Sequence, residues 1–154
     1  MVLLQYETGW PSRMNSEFTI AVHSLVLLAY LPEGSASSET IAENVCTNPA
    51  RVRKVMGYLK RSGYVATREG SGGGYRLLMD PAEVTLKDVY RTIAQGSLMP
   101  NWCSGDPDCD CLVGSNMNEV MNRIFCTAEQ QLEDYFSGLT IAGVLKDIHS
   151  CDSC

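Results

Sequence analysis

The stretch that decides the fold runs from position 38 to position 79 and reads SETIAENVCTNPARVRKVMGYLKRSGYVATREGSGGGYRLLM. A short helix is predicted to begin at Ser37 or Ser38 and to end within about eight residues, before a turn at Cys46. Asn48 and Pro49 then supply an N-cap followed by proline at the first helical position. The next helix carries an apolar stripe at i, i+3, i+4 and i+7, namely Val52, Val55, Met56 and Leu59.

Two β-prone runs follow this helix, after Gly63. They cover positions 64–67 and 75–79 and enclose the glycine-rich segment 70–74. Short β-prone runs around a flexible loop are typical of a hairpin. Short helix, turn, basic helix and hairpin in this order predict a winged helix-turn-helix, and hence a mainly α fold with a small β-hairpin wing.

Helical patterns flank this unit on both sides. Before it, Ser16–Leu31 is apolar on more than one face, which predicts a buried helix that Pro32 ends. After it, Thr85–Asp88 resembles a capping box that opens a fourth helix reaching about Ala94. A second such box at Asn116–Glu119 predicts the start of a long helix ending at Ser137, and positions 140–148 predict a last short helix.

The charge of the chain is unevenly distributed. The formal net charge is −6, yet seven of the twelve Lys and Arg residues lie between positions 51 and 76, where Glu69 is the one acidic residue. A local charge patch, rather than the charge of the whole chain, governs the choice of partner. The patch therefore favours a polyanionic partner.

A basic helix followed by a glycine-rich hairpin indicates binding to double-stranded DNA. Arginine and lysine on the helix can enter the major groove, and arginines beside the wing can reach the minor groove. Hydroxyl and amide groups at the two helix starts can meet phosphates. The predicted DNA contacts are Ser38, Thr40, Asn48, Arg51, Arg53, Lys54, Arg68, Ser71, Gly72, Gly73 and Arg76.

Composition excludes other classes. The longest apolar run, at positions 21–31, is too short and too mixed to span a bilayer, and positions 1–13 do not read as a secretory signal, so we expect a cytoplasmic protein without a membrane partner. We find no nucleotide-binding loop and no evident acid–base pair, which argues against an enzyme. The alternative that the residues leave open is a small iron–sulfur or thiol redox protein that does not act on DNA.

The segment from Ser37 to Ile93, with its GSGGGY wing and TLKDVYRTI, resembles the Rrf2 family of bacterial winged-helix regulators, and the similarity extends to TIAGVLKDI near position 148. The resemblance implies a homodimeric DNA-binding repressor that recognises a dyad-symmetric operator. It also implies that the long helix crosses its partner, through Met117, Met121, Ile124, Ala128 and Leu132. One departure is Glu69, where family members often carry arginine.

With this resemblance, the chain divides into five segments. They are an extension or tag at 1–13, a DNA-binding domain at 14–80, a linking helix and cysteine-containing sensor loop at 81–114, a dimerisation helix and closing helix at 115–148, and a tail at 149–154.

The seven cysteines do not determine whether the protein responds to a signal through a cluster or a thiol, or whether they only pack. Cys103, Cys109 and Cys111 lie where cluster-binding members of the family keep three ligands, so the resemblance allows an iron–sulfur cluster, of which [2Fe-2S] is the expected type. Their Cys-x5-Cys-x-Cys spacing departs from the family pattern, and Gly114 stands at the usual position of a fourth ligand. A thiol switch and plain packing are the two alternatives. We expect Cys46 and Cys126 to be buried thiols.

Overall fold

A computed structural model of the chain describes residues 16–70, 72–99, 102 and 104–151, and the predicted extension at 1–13 lies outside these ranges. The described part is mainly helical with one small sheet, as predicted. Its elements are α1 (Ser16–Tyr30), β1 (Ser35–Ala36), α2 (Ser38–Val45), α3 (Pro49–Arg61), β2 (Val65–Arg68), β3 (Gly74–Leu77), α4 (Leu86–Ile93), α5 (Leu112–Ser137) and α6 (Ile141–Cys151).

Helix α1 lies at the centre of the fold and packs against α2, α3, α4 and α6. Ala21, Leu25 and Leu28 on it have no exposed surface, which explains why its sequence is apolar on more than one face. None of the helices in the described ranges is long and apolar enough to cross a membrane.

The helix-turn-helix is defined by local capping. Ser37 is the N-cap of α2, and its Oγ accepts a hydrogen bond from the backbone N–H of Thr40 at 3.1 Å. Cys46 ends α2 in the left-handed conformation, with φ 58°, which residues other than glycine rarely adopt. Asn48 then caps α3, because its Oδ1 accepts from the Ala50 N–H at 2.7 Å.

The wing is a sheet of three strands in the order β1-β3-β2, with both pairs antiparallel. The predicted hairpin corresponds to β2 and β3. Strand β1 was not predicted, because two residues are too few to show an alternating pattern, and its pairing of Ser35 with Arg76 joins positions far apart in the chain. The wing is therefore attached to the segment that leaves α1.

The starts of α4 and α6 are joined by backbone hydrogen bonds. Thr85 and Asp88 form the predicted capping box at the start of α4. Thr85 also forms an isolated bridge with Thr140. The N–H of Leu86 donates to the carbonyl of Leu139 at 2.8 Å, and that of Ile141 to the carbonyl of Val84 at 3.0 Å. Positions 84–86 and 139–141 thus form one clamp.

The long helix α5 begins at Leu112, four residues before the predicted start at Asn116. The prediction was wrong because the side chain of Asn116 does not cap the helix. Its Nδ2 donates to the carbonyl of Leu112, one turn earlier, at 2.9 Å. Helix α6 ends at Cys151, beyond the predicted end at Ile148, so the first residues of the predicted tail are helical.

An aromatic cluster packs α5 against α1 and α4. The rings of Phe18 and Phe136 are stacked with centroids 5.3 Å apart, and Tyr90 meets both rings edge-on. The hydroxyl of Tyr90 also donates to Glu129 Oε1 at 2.7 Å. Because these contacts join α1, α4 and α5, the long helix is fixed relative to the helix-turn-helix.

Candidate nucleic-acid interface

Helix α3 has one apolar face and one basic face. Its four stripe residues are all fully buried: Val52, Val55, Met56 and Leu59. The basic residues on the rest of its surface are all exposed: Arg51, Arg53, Lys54, Lys60 and Arg61. Burial of the stripe therefore fixes the rotation of α3 and turns its positive charge outward.

Arg53 is held against the start of α2. Its Nη1 lies 3.3 Å from Glu39 Oε1 and donates to Ser38 Oγ at 3.2 Å. The pKa of Glu39 is lowered by hydrogen bonds from its own backbone amide and from Ser38, and by the charge of Arg53. The pair is largely exposed, so it orients Arg53 more than it stabilises the fold.

Two other basic residues of α3 contact the first turn of α1. Lys54 Nζ lies 2.6 Å from Glu17 Oε1, and this carboxylate raises the pKa of Lys54. Arg51 Nη2 donates to Ser16 Oγ at 2.6 Å. The N-terminus of α1 thus lies beside the basic face.

The hydroxyl and amide groups predicted to meet phosphates differ in their exposure. Thr40 and Asn48 are exposed, whereas Ser38 is 9% exposed and its Oγ already bonds Glu39 and Arg53. Ser37, which was not predicted as a contact, presents its hydroxyl 3.0 Å from that of Thr40. The hydroxyl groups of Ser37 and Thr40 are thus more accessible than that of Ser38.

The wing brings its two arginines to neighbouring strands. Arg68 lies opposite Gly74 and Arg76 lies opposite Ala66, and both arginines are exposed and line one shallow surface depression. Ser71, the predicted contact at the tip, lies outside the described residues.

The wing glycines serve the turn itself. Gly72 has a positive φ of 81°. A Cβ on Gly73 would lie 2.6 Å from the carbonyl oxygen of Arg68, and one on Gly74 would collide with the backbone of Ala36. Tight backbone packing within the sheet therefore accounts for Gly73 and Gly74.

Two exposed basic residues of α3 were missed as candidate contacts. Lys60 Nζ donates to Thr67 Oγ1 of the wing at 3.0 Å, and the Arg61 guanidinium lies 4.8 Å from the ring centroid of Tyr58. Their place opposite the apolar stripe, which is visible in the sequence, was the signal that could have found them.

The cysteine loop folds against the start of α5. Cys111 is the exposed N-cap of this helix, and the backbone amides of Gly114 and Val113 lower the pKa of its thiol, although neither forms a full cap hydrogen bond. Cys109 is half-buried, and its Sγ donates to the Cys111 carbonyl at 3.5 Å. A Cβ on Gly114 would lie 2.6 Å from that sulfur, so Gly114 leaves room for Cys109.

The described residues of this loop do not form a cluster site by themselves. Cys103, the third predicted ligand, lies outside them. Over the part of the chain that the structure describes, no three His, Cys, Asp or Glu side chains converge as metal ligands. The loop therefore offers two neighbouring thiols, one with a lowered pKa.

Two expectations for the remaining cysteines were wrong in the single chain. Cys46 and Cys126 are exposed rather than buried. Cys46 is at the left-handed turn between α2 and α3, where the side chain points away from the core. Cys126 lies on the surface of α5.

Helix α5 leaves an apolar stripe exposed. Val113, Met117, Val120 and Ile124 are 36–62% exposed and recur at spacings of four, three and four residues. Of the residues predicted to form the dimer contact, Met117 and Ile124 belong to this stripe. Met121, Ala128 and Leu132 are half-buried within the protomer. The spacing is that of a helix that packs along another helix.

Comparison with known proteins agrees with this architecture. Residues 14–147 match the Rrf2 family model, described as an iron-dependent transcriptional regulator. YwnA of Bacillus subtilis, named as an HTH-type transcriptional regulator, is 29% identical over 136 residues, which cover 88% of this chain and 98% of YwnA. The HTH-type transcriptional regulator IscR of Vibrio cholerae is 24% identical over 140 residues, covering 88% of this chain and 76% of IscR.

A solved structure shows the same fold. The crystal structure of a protein described as a transcriptional regulator of Lactobacillus plantarum matches with a TM-score of 0.76 at 25% identity, covering 90% of this chain and 98% of that one. A winged helix-turn-helix with an exposed basic helix is an architecture that DNA-binding transcriptional regulators use. The chain belongs to the Rrf2 family, whose members are such regulators and not enzymes.

Proposed function

We propose that this chain is a homodimeric repressor that binds a dyad-symmetric operator and responds to chemistry at its cysteine loop. The observation that carries the DNA-binding half is the outward basic face of α3, rigidly backed by its buried stripe and followed by two exposed wing arginines. A helix of this kind fits the major groove, and the wing arginines fit the adjacent minor groove.

The homodimer is supported by the exposed stripe of α5, from Val113 to Ile124. Apolar residues that recur along one side of a long helix are stabilised when a second helix covers them. Two copies joined through α5 carry two copies of α3, and this symmetry supports binding to a dyad-symmetric operator. A dimer bound across a promoter excludes polymerase, and this is the basis of the proposed repression.

Salt-dependent binding tests the DNA-binding half. We expect the affinity for promoter fragments of the source genome to fall by about 0.9 log units per contacted phosphate for each tenfold rise in salt. The double variant Arg68→Ala, Arg76→Ala is expected to bind more weakly and with a shallower salt slope. An affinity that is independent of salt would contradict the proposal.

Repression itself needs a transcription assay. Addition of the protein to a template that it binds is expected to reduce the transcript, while a template with a scrambled site is unaffected. Unchanged transcription from the bound template would argue against repression.

For the signal, two candidates involve the same thiols. The thiol switch is supported by the exposure and lowered pKa of Cys111, which favour reaction of this cysteine. The cluster is supported by the description of the family as iron-dependent and by the similarity to IscR. We favour the thiol switch, because Cys111 is exposed with a lowered pKa and because Gly114 stands at the usual position of a fourth cluster ligand.

Anaerobic purification separates the two candidates. A colourless protein whose DNA affinity changes on mild oxidation, and no longer does so after Cys111→Ala, supports the switch. Bound iron with visible absorption that is lost in Cys111→Ala would instead establish the cluster.

A further inference from the structure

Gly57 is a glycine in the middle of α3 that the protomer does not require. It has no positive φ, and a Cβ placed on it meets no atom of the described residues within 4 Å. By contrast, a Cβ on Gly73, Gly74 or Gly105 would collide with backbone. A helix with glycine in its interior is less stable than the same helix with alanine. Gly57 therefore lowers the stability of the fold, and no contact among the described residues requires it.

The surroundings of Gly57 are basic on both sides. The positions four and three residues before it are Arg53 and Lys54, and those three and four residues after it are Lys60 and Arg61. Since each residue advances a helix by about 100°, Arg53 and Lys60 lie on one flank of Gly57, and Lys54 and Arg61 lie on the other. All four are exposed, and Gly57 lies between the two pairs.

We propose that Gly57 is the point at which α3 approaches the floor of the DNA major groove most closely. This inference rests on the proposed DNA-binding function. The major groove is about 12 Å wide and has a phosphate strand on each side, while an α-helix with its side chains is about 10–12 Å across. The missing side chain allows α3 to enter more deeply, so that each pair of basic residues reaches one phosphate strand. Any side chain at position 57 holds the helix away from the base edges.

The test measures fold stability and DNA affinity in the same variants. The DNA is a labelled duplex that the wild-type protein enriches from a random-sequence library. Gly57→Ala is expected to raise the thermal midpoint by about 2–4 °C while weakening binding to this duplex at least tenfold. Stabilised folding with weakened binding is the combination that general damage to the fold does not produce.

Arg61→Ala serves as the matched control on the same face of α3. It keeps Gly57 and removes one charge from each protomer, so it is expected to lower the slope of log affinity against log salt by about 1 for each protomer of the bound dimer. If Arg61→Ala weakens binding and Gly57→Ala binds as tightly as wild type, the role of Gly57 is overturned and DNA binding through α3 stands. A lower thermal midpoint for Gly57→Ala would also overturn it, since the glycine would then serve the fold. If the library yields no enriched duplex, the proposed function fails together with this inference.

Discussion

Arg91 on α4 and Glu133 on α5 form a short ion pair, with Arg91 Nη2 2.6 Å from Glu133 Oε2. Glu133 is only 5% exposed, and Lys87 Nζ lies 3.7 Å from the same oxygen. A buried carboxylate between two cations ties the long helix to the helix that follows the wing. This polar link complements the aromatic cluster around Phe136.

The first prediction concerns acid stability. Hydrogen bonding to Arg91 and the charges of Arg91 and Lys87 hold the pKa of Glu133 below its usual value of 4.5. A carboxyl group with a lowered pKa in the folded state stabilises the fold above its unfolded pKa, and this contribution disappears as the pH falls through the folded pKa. We expect unfolding free energy to decrease below about pH 4.5, and to do so less steeply in Glu133→Gln. Denaturant titrations between pH 3 and pH 7 measure this, and parallel curves for the two proteins would contradict it.

The second prediction concerns the turn at Cys46. A left-handed φ is unfavourable for any residue with a Cβ, and most unfavourable for a β-branched one. Cys46→Gly is therefore expected to raise the free energy of unfolding by about 0.5–1 kcal/mol, and Cys46→Val to lower it by at least about 1 kcal/mol. Urea unfolding measures both variants, and the opposite order would show that the turn adopts a different conformation.

The third prediction separates capping from DNA binding at Asn48. Asn48→Ala removes the cap and is expected to reduce stability by about 1 kcal/mol, whereas Asn48→Asp and Asn48→Ser keep it. Asn48→Asp is expected to weaken DNA binding without loss of stability, because it adds a negative charge at the start of α3. Thermal melts and binding titrations on the three variants check this, and undiminished binding by Asn48→Asp would place Asn48 away from the DNA.

The fourth prediction concerns the dimer. Ile124→Asp places a charge at the C-terminal end of the exposed stripe of α5, where Ile124 is 52% exposed, and is expected to weaken self-association by about 100-fold or more. Cys126→Asp is the matched control, since Cys126 is exposed about 200° around the same helix. Sedimentation equilibrium gives both association constants. Equal effects of the two variants would exclude the stripe as the interface.

The fifth prediction concerns thiol reactivity. The lowered pKa of Cys111 raises its thiolate fraction at neutral pH, so we expect iodoacetamide to modify Cys111 faster than the exposed Cys126 and Cys151. Peptide mass spectrometry after brief labelling at pH 7 ranks the three sites. Equal rates would show that the helix amides do not activate Cys111.

The parts of the fold that depend on local chemistry could be predicted from the sequence. Asn48 and Thr85 predict the starts of α3 and α4, because each cap is formed within three residues of the chain. Strand β1 could not be predicted, because its pairing with β3 spans about forty residues. The start of α5 was predicted wrongly at Asn116, because an asparagine side chain can either cap a helix or bond a carbonyl one turn earlier inside it. The path of the preceding loop decides between these two arrangements.

The candidate site was predictable to a similar extent. The concentration of charge around α3 is visible in the sequence, and burial of the Val52 stripe turns it outward. The burial of Ser38 and the exposure of Cys46 depend on side-chain directions at a turn, which residue type alone does not specify.

The clamp, which includes the bridge between Thr85 and Thr140, holds together the two ends of the segment between positions 86 and 139. Both ends of this segment are fixed by backbone hydrogen bonds, which do not depend on the identity of the side chains. Insertions and deletions in the loop before α5 therefore need not propagate into the helices around α1. The chemistry of the cysteine loop can therefore change in evolution while the basic face of α3 stays intact, so that one architecture tolerates many different loops.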